Sequence, residues 1–93
     1  MFCGMAMSTP RRGKEEALAA AACDHAQALR TQPGCLAAYV LKERGSELQV
    51  ALSVFDSEES FNRGMEATAP VIARHHLEEL RDGPSAFRVF DVP

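Results

Sequence analysis

The stretch Phe55-Asp56-Ser57-Glu58-Glu59-Ser60-Phe61 constrains the fold of this chain more than any other, because a strand must end and a helix begin within it. Leu48 to Phe55 alternates as a strand does, with Leu48, Val50, Leu52 and Val54 on one face and Gln49, Ala51, Ser53 and Phe55 on the other. Ser57 then stands where a helix N-cap belongs, its hydroxyl able to accept from a free amide of the first turn. Glu58 and Glu59 place negative charge at the positive end of that helix. Phe61, its first large apolar residue, is expected to fold back onto the sheet.

Upstream, Phe2 to Ser8 reads as a first strand that Pro10 cannot continue. A helix is expected from Gly13 to about Thr31, alanine-rich in its middle, with Leu18, Ala22, His25 and Leu29 on one face. Pro33-Gly34 ends it. Cys35 to Lys42 reads as a second strand, joined to the third by the polar turn Glu43-Arg44-Gly45-Ser46. The second helix is expected from Ser57 to about Arg81, with bends at Gly64 and Pro70. Ala86 to Val92 reads as the last strand.

The order is strand, helix, strand, strand, helix, strand in a single domain, residues 1–93. It is the split βαββαβ order of ferredoxin-like α+β folds, an antiparallel sheet with two helices on one face. Cys35 to Leu41 and Phe2 to Met7 are apolar at both parities, whereas a two-layer fold needs an apolar surface on one sheet face only. A second copy packed on the other face removes the conflict, so a homodimer through the sheet face is expected. A chain of 93 residues is short enough for association to add useful core.

Several classes are set aside. Net charge is −3 and the basic residues are scattered, which is not the footprint of a nucleic-acid binder. No apolar run approaches the ~20 residues of a membrane span. Met1 to Ser8 lacks the basic leader of a signal peptide. Cys3, Cys23 and Cys35, odd in number and without C-x-x-C spacing, fit a reducing cytoplasm better than a disulfide framework or zinc site, and each reads as a small buried hydrophobe.

Pro33-Gly34-Cys35 opening the second strand, Phe55-x-Ser57-x-x-Ser60-Phe61 across the strand–helix junction, and a later helix with paired histidines together resemble the antibiotic biosynthesis monooxygenase-type domains of the dimeric α+β barrel superfamily. The resemblance covers nearly the whole chain. It implies that barrel-forming dimer, and a cofactor-independent monooxygenase of a small aromatic or quinol-like compound. The alternative is a non-catalytic dimeric module that binds a small apolar molecule; haem binding stands third. The superfamily's haem-degrading branch uses a first-strand Asn, a Trp and a helix histidine. This chain has Met5 and Met7 on its first strand, Phe55 at the Trp position, and Arg74 at the ligand position with His75 one residue later.

The base that quinol oxidation needs suits histidine, which titrates near neutral pH. On an uninterrupted helix His75 and His76 point about 100° apart. His76 then falls among Met65, Ala69, Ile72, Ala73 and Leu80 and faces the sheet, with His75 toward the edge. His76 and His25 are therefore the expected catalytic pair, or else core histidines bonded to backbone or water. Tyr39 either bonds a phenolic ligand or packs. His75, Phe55, Met5, Met7 and Met65 are expected to line the substrate cavity, and Arg74 or Arg88 either stabilises an anion or is solvated. No carboxylate accompanies the histidines as a metal site requires, and neither a metal nor another cofactor is expected.

Overall fold

A computed structural model describes all residues, Met1–Pro93. The elements are β1 (Phe2–Ser8), α1 (Glu15–Arg30), β2 (Cys35–Lys42), β3 (Gln49–Phe55), α2 (Glu58–Ala73), α3 (Leu77–Leu80) and β4 (Ala86–Asp91). The strands form one antiparallel sheet in the order β2-β3-β1-β4, the ferredoxin-like arrangement expected from the element order. No helix is long and apolar enough to cross a membrane.

The strand–helix junction is built as its residues dictate. Ser57 is extended and its hydroxyl accepts from Ser60 N at 3.2 Å, so α2 starts with a satisfied amide and two acidic residues in its first turn. Phe61 turns back onto the sheet, its ring 5.0 Å from Phe2 and 5.7 Å, edge-on, from Phe55. These rings, with Ala26, Leu29 and Ala38, form the core. Gly34, at φ 85°, lies so close to this junction that a Cβ there would stand 2.6 Å from Ser60 Cβ. Asp56 N also donates to Gly34 O at 2.9 Å. Two of the three features that carry the family resemblance therefore touch each other in space.

The second helix differs from the expectation. α2 runs unbroken through Gly64 and Pro70 and stops at Ala73. Gly64 is a close approach rather than a bend, since a Cβ there would lie 2.9 Å from the Phe55 ring. Pro70 is accepted inside the helix on an exposed position, and the chain unwinds one turn later. His75 N and His76 N donate to the carbonyls three residues back, a tightened last turn. His76 then takes a left-handed conformation at φ 50°, the one non-glycine residue with positive φ. α3 follows in a new direction.

In the sheet, register fixes the faces. Phe2, Gly4, Ala6 and Ser8 of β1 and their partners Phe55, Ser53, Ala51 and Gln49 of β3 face the helices. Met5, Met7, Val50, Leu52 and Val54 face away, where Leu36, Tyr39, Leu41 and Phe90 are exposed. β2 carries a bulge between Cys35 and Ala37. The cysteines are free, but Cys23 is exposed rather than buried, because it sits on the outer side of α1.

Candidate active site

The helix-facing positions of β1 and β3 shrink along the sheet. Phe2 stands opposite Phe55, then Gly4 opposite Ser53, then Ala6 opposite Ala51. The aromatic end fills the space under the helices; the small end does not. The result is a cavity of about 250 Å³ between the sheet, α1, the second half of α2 and the 77–87 segment. Leu18, Ala22, His25 and Leu29, the expected face of α1, all line it, as does Met65. Its lining is mostly apolar, the usual character of a small-molecule site.

Two histidines reach the cavity, His25 and His75. His25 Nε2 lies 2.8 Å from Thr68 Oγ1, which is itself 2.8 Å from Gly64 O. The threonine has one proton and gives it to the carbonyl, so its oxygen accepts from His25 Nε2–H. That leaves His25 Nδ1 as the unprotonated nitrogen. It bonds to nothing in the chain and, since no buried side-chain nitrogen lacks a partner, it is accessible. Burial lowers the His25 pKa and Asp24 offsets this in part, so the neutral, proton-accepting form is favoured at neutral pH.

His75 is held differently. Its Nε2 is 2.8 Å from Asp24 Oδ2, and Arg74 Nη2 reaches the same oxygen at 2.6 Å. A carboxylate only accepts, so His75 donates through Nε2 and, when neutral, carries its lone pair on Nδ1. The bonds from His75 and then Arg74 hold the Asp24 carboxyl below its usual pKa. One carboxylate of α1 thus ties down both residues at the end of α2.

Other expected site residues lie elsewhere. His76 is 65% exposed, beyond the helix break, and its ring approaches only Glu78. The reading that turned it toward the sheet needed a continuous helix. Phe55 is fully buried in the aromatic cluster and does not line the cavity. Met5 and Met7 project from the opposite face of the sheet. Tyr39 pairs with Leu52 on that opposite face and is 54% exposed, although both residues border the cavity at its sheet wall.

Sequence reasoning missed Asp24, Thr68, Ser53 and Arg81. Ser53 is 4% exposed, and its hydroxyl, bonded to nothing in the chain, opens onto the cavity. The signal for it was present: a polar residue between Ala51 and Phe55 on the β3 face that also carries Gln49. Asp24 and Thr68 gave no such signal, because their roles depend on which helices meet.

The fold is shared with solved structures at low identity. Rv0793 of Mycobacterium tuberculosis superposes with a TM-score of 0.86 at 18% identity, over 99% of this chain and 94% of that one. PA3566 of Pseudomonas aeruginosa gives 0.80 at 17%, over 96% and 90%. A crystal structure described as an antibiotic biosynthesis monooxygenase gives 0.82 at 10%, over 100% and 99%. At these identities the likeness is one of fold. No curated protein sequence matches the chain. The family model of antibiotic biosynthesis monooxygenases matches residues 1–68, from β1 into α2, which includes Ser53 and the His25–Thr68 pair. On that match, across most of its length, the chain belongs to the antibiotic biosynthesis monooxygenase family.

Proposed function

We propose that this protein is a cofactor-independent monooxygenase of a small quinol-like aromatic compound, with His25 as the general base. The observation that carries the reading is His25, a lining residue of an apolar cavity, with Nε2 bonded to Thr68, Nδ1 free of any partner in the chain, and burial favouring its neutral form. Membership of a family named for monooxygenation supports oxygen chemistry in particular. Cavity size bears on the substrate. An apolar cavity of about 150 Å³ holds benzene, so about 250 Å³ suits one substituted ring or two fused rings rather than three.

In the proposed reaction a phenolic proton passes to His25 Nδ1. The arenolate gives one electron to O2, and the resulting radical pair joins at a ring carbon. His25 returns its proton to the distal oxygen, forming a hydroperoxide. Loss of the hydrogen on that carbon, with cleavage of the O–O bond, leaves a carbonyl and releases the second oxygen as water. A quinol and O2 thus give a hydroxyquinone and water. In this reading the Ser53 hydroxyl bonds a substrate oxygen, and His75, oriented by Asp24, serves as a second base.

Oxygen uptake by metal-stripped protein against one- and two-ring quinols tests this. Wild type and the exposed-site control His76→Ala are expected to turn over alike, and His25→Ala to lose about 100-fold or more, the scale of general-base catalysis. Undiminished uptake by His25→Ala would overturn the mechanism. No uptake across the panel would instead favour a non-catalytic module that binds a small molecule in the same cavity.

The reading includes a homodimer through the outer sheet face. Leu36, Tyr39, Leu41 and Phe90 are exposed there beside the half-buried Met5, Met7 and Leu52, an apolar area large for a free surface. Light scattering is expected to give twice the 10.1 kDa chain mass, and a clean monomer would overturn the dimer.

A further inference from the structure

The charged groups around the cavity are unevenly chosen. The chain has more acidic than basic residues, yet no Asp or Glu lines the cavity, and the one permanently charged residue that does is Arg81. Arg81 is partly buried, and its guanidinium makes no hydrogen bond or ion pair within the chain. Glu78, Glu79 and Asp82 flank it in sequence but are exposed, and none comes within 4.0 Å of it as an ion pair.

Its main chain is fixed, which makes the placement of Arg81 a built feature. Arg11 N donates to Leu80 O at 2.8 Å, Arg11 Nε to Arg81 O at 2.9 Å and Arg11 Nη2 to Glu78 O at 3.1 Å. Asp82 N donates to Thr9 O at 2.7 Å, and Pro10 bridges to Arg81. The segment that carries Arg81 is therefore clamped to the β1–α1 connection on both sides.

The neighbouring hydroxyls do not compete for an anion. Ser85 gives its proton to Met7 O at 3.2 Å and accepts from Ser8 at 3.3 Å, so both serine protons are spent within the chain. Deeper in, Ser53 is a buried residue whose neutral hydroxyl bonds to nothing in the chain and is open to the cavity. A ligand that satisfies both ends needs a polar oxygen near Ser53, an apolar ring over the Ala6–Ala51 pair, and an anionic group at Arg81.

We infer that the substrate of this cavity is an aromatic carboxylate, selected by Arg81. The inference rests on the proposed function for the chemistry at the ring, but binding tests it separately. A guanidinium offers a carboxylate two parallel N–H donors, a geometry neither a neutral amide nor a cation can use. The quinol that is oxidised would then carry a ring carboxylate.

Calorimetric titration of the intact protein with 2-naphthoate, 2-naphthamide and 2-naphthylmethylammonium, none of them a quinol, tests it. The carboxylate is expected to bind about tenfold or more tighter than the amide, and the ammonium weakest, on the scale of one charge-assisted bond. Arg81→Gln should bring the carboxylate down to the amide, while Arg81→Lys, which keeps the charge, retains part of the preference. Thermal melts confirm that both variants fold. Equal binding of carboxylate and amide, an Arg81→Gln variant that still prefers the carboxylate, or no binding by any probe would overturn the inference. Arg81-dependent binding without quinol oxidation would sink the oxygenase reading and leave this one standing. His25-dependent oxidation of uncharged quinols with no charge preference in binding would do the reverse.

Discussion

Two ends of one helix–sheet interface behave in opposite ways. At one end Phe2 faces Phe55 across the β1–β3 pair and Phe61 closes over both; a few residues along the same strands Ala6 faces Ala51 and a cavity of about 250 Å³ opens. The β1–β3 register runs unbroken through both ends, so between these two strands the size of the facing side chains is what changes from core to site. A folded interior is otherwise packed to crystal-like density, and a row of small residues is how a sheet leaves room. The aromatic end supplies the stability that the hollow end forgoes.

That contrast is open to breaking by substitution. The largest effect is expected from Phe55→Ala, which empties the centre of the aromatic cluster and should cost about 3–5 kcal/mol in urea denaturation. In a domain this small, such a loss approaches the whole folding free energy. Gly4→Ala comes next. Its Cβ would sit 2.6 Å from the Phe61 ring, so the aromatic end must shift, at about 1–3 kcal/mol by the same measurement. Ser57→Ala removes the cap that starts the helix carrying Phe61 and should cost about 1 kcal/mol.

The hollow end responds to pH. Its His25 pKa is lowered by burial, so between the folded value and the usual 6.5 the unfolded chain binds more protons than the folded one. The stability contribution is complete above pH 6.5 and is lost as pH falls toward the lowered value. Urea midpoints should decline across that window in wild type and less steeply in His25→Gln. The smallest stability effect is expected from Ala51→Leu, which grows into empty space and should stay within about 1 kcal/mol. The same change should abolish binding of a two-ring probe in calorimetry. A large loss of stability there would mean that the hollow end is already packed.

Much of the fold was legible because its signals are local. Alternation assigned the β3 faces, and the Ser57 cap, the Phe61 contact and the α1 face with His25 needed only neighbours in sequence. The site was less legible for two reasons. Large apolar residues were read as its lining, whereas the cavity exists where β1 and β3 present glycine, alanine and serine; Met5 and Met7 took the other parity. The β2 bulge also shifted the strand by one residue: Cys35 pairs with Phe55 and Ala38 with Ser53 on the helix side, which leaves Tyr39 on the outer side.

The histidines draw the last line. By itself the sequence determined the βαββαβ order, the cap, the two faces of β3, and a histidine on the buried side of α1. Those follow from the 2.0 and 3.6 residue periods and from capping, which act over a few residues. Only the tertiary structure decided that His75 and not His76 meets the cavity. Helical phase carries a side chain's direction only while the helix lasts, and α2 ends at Ala73 with Asp24, fifty-one residues before His75, holding the unwound turn in place.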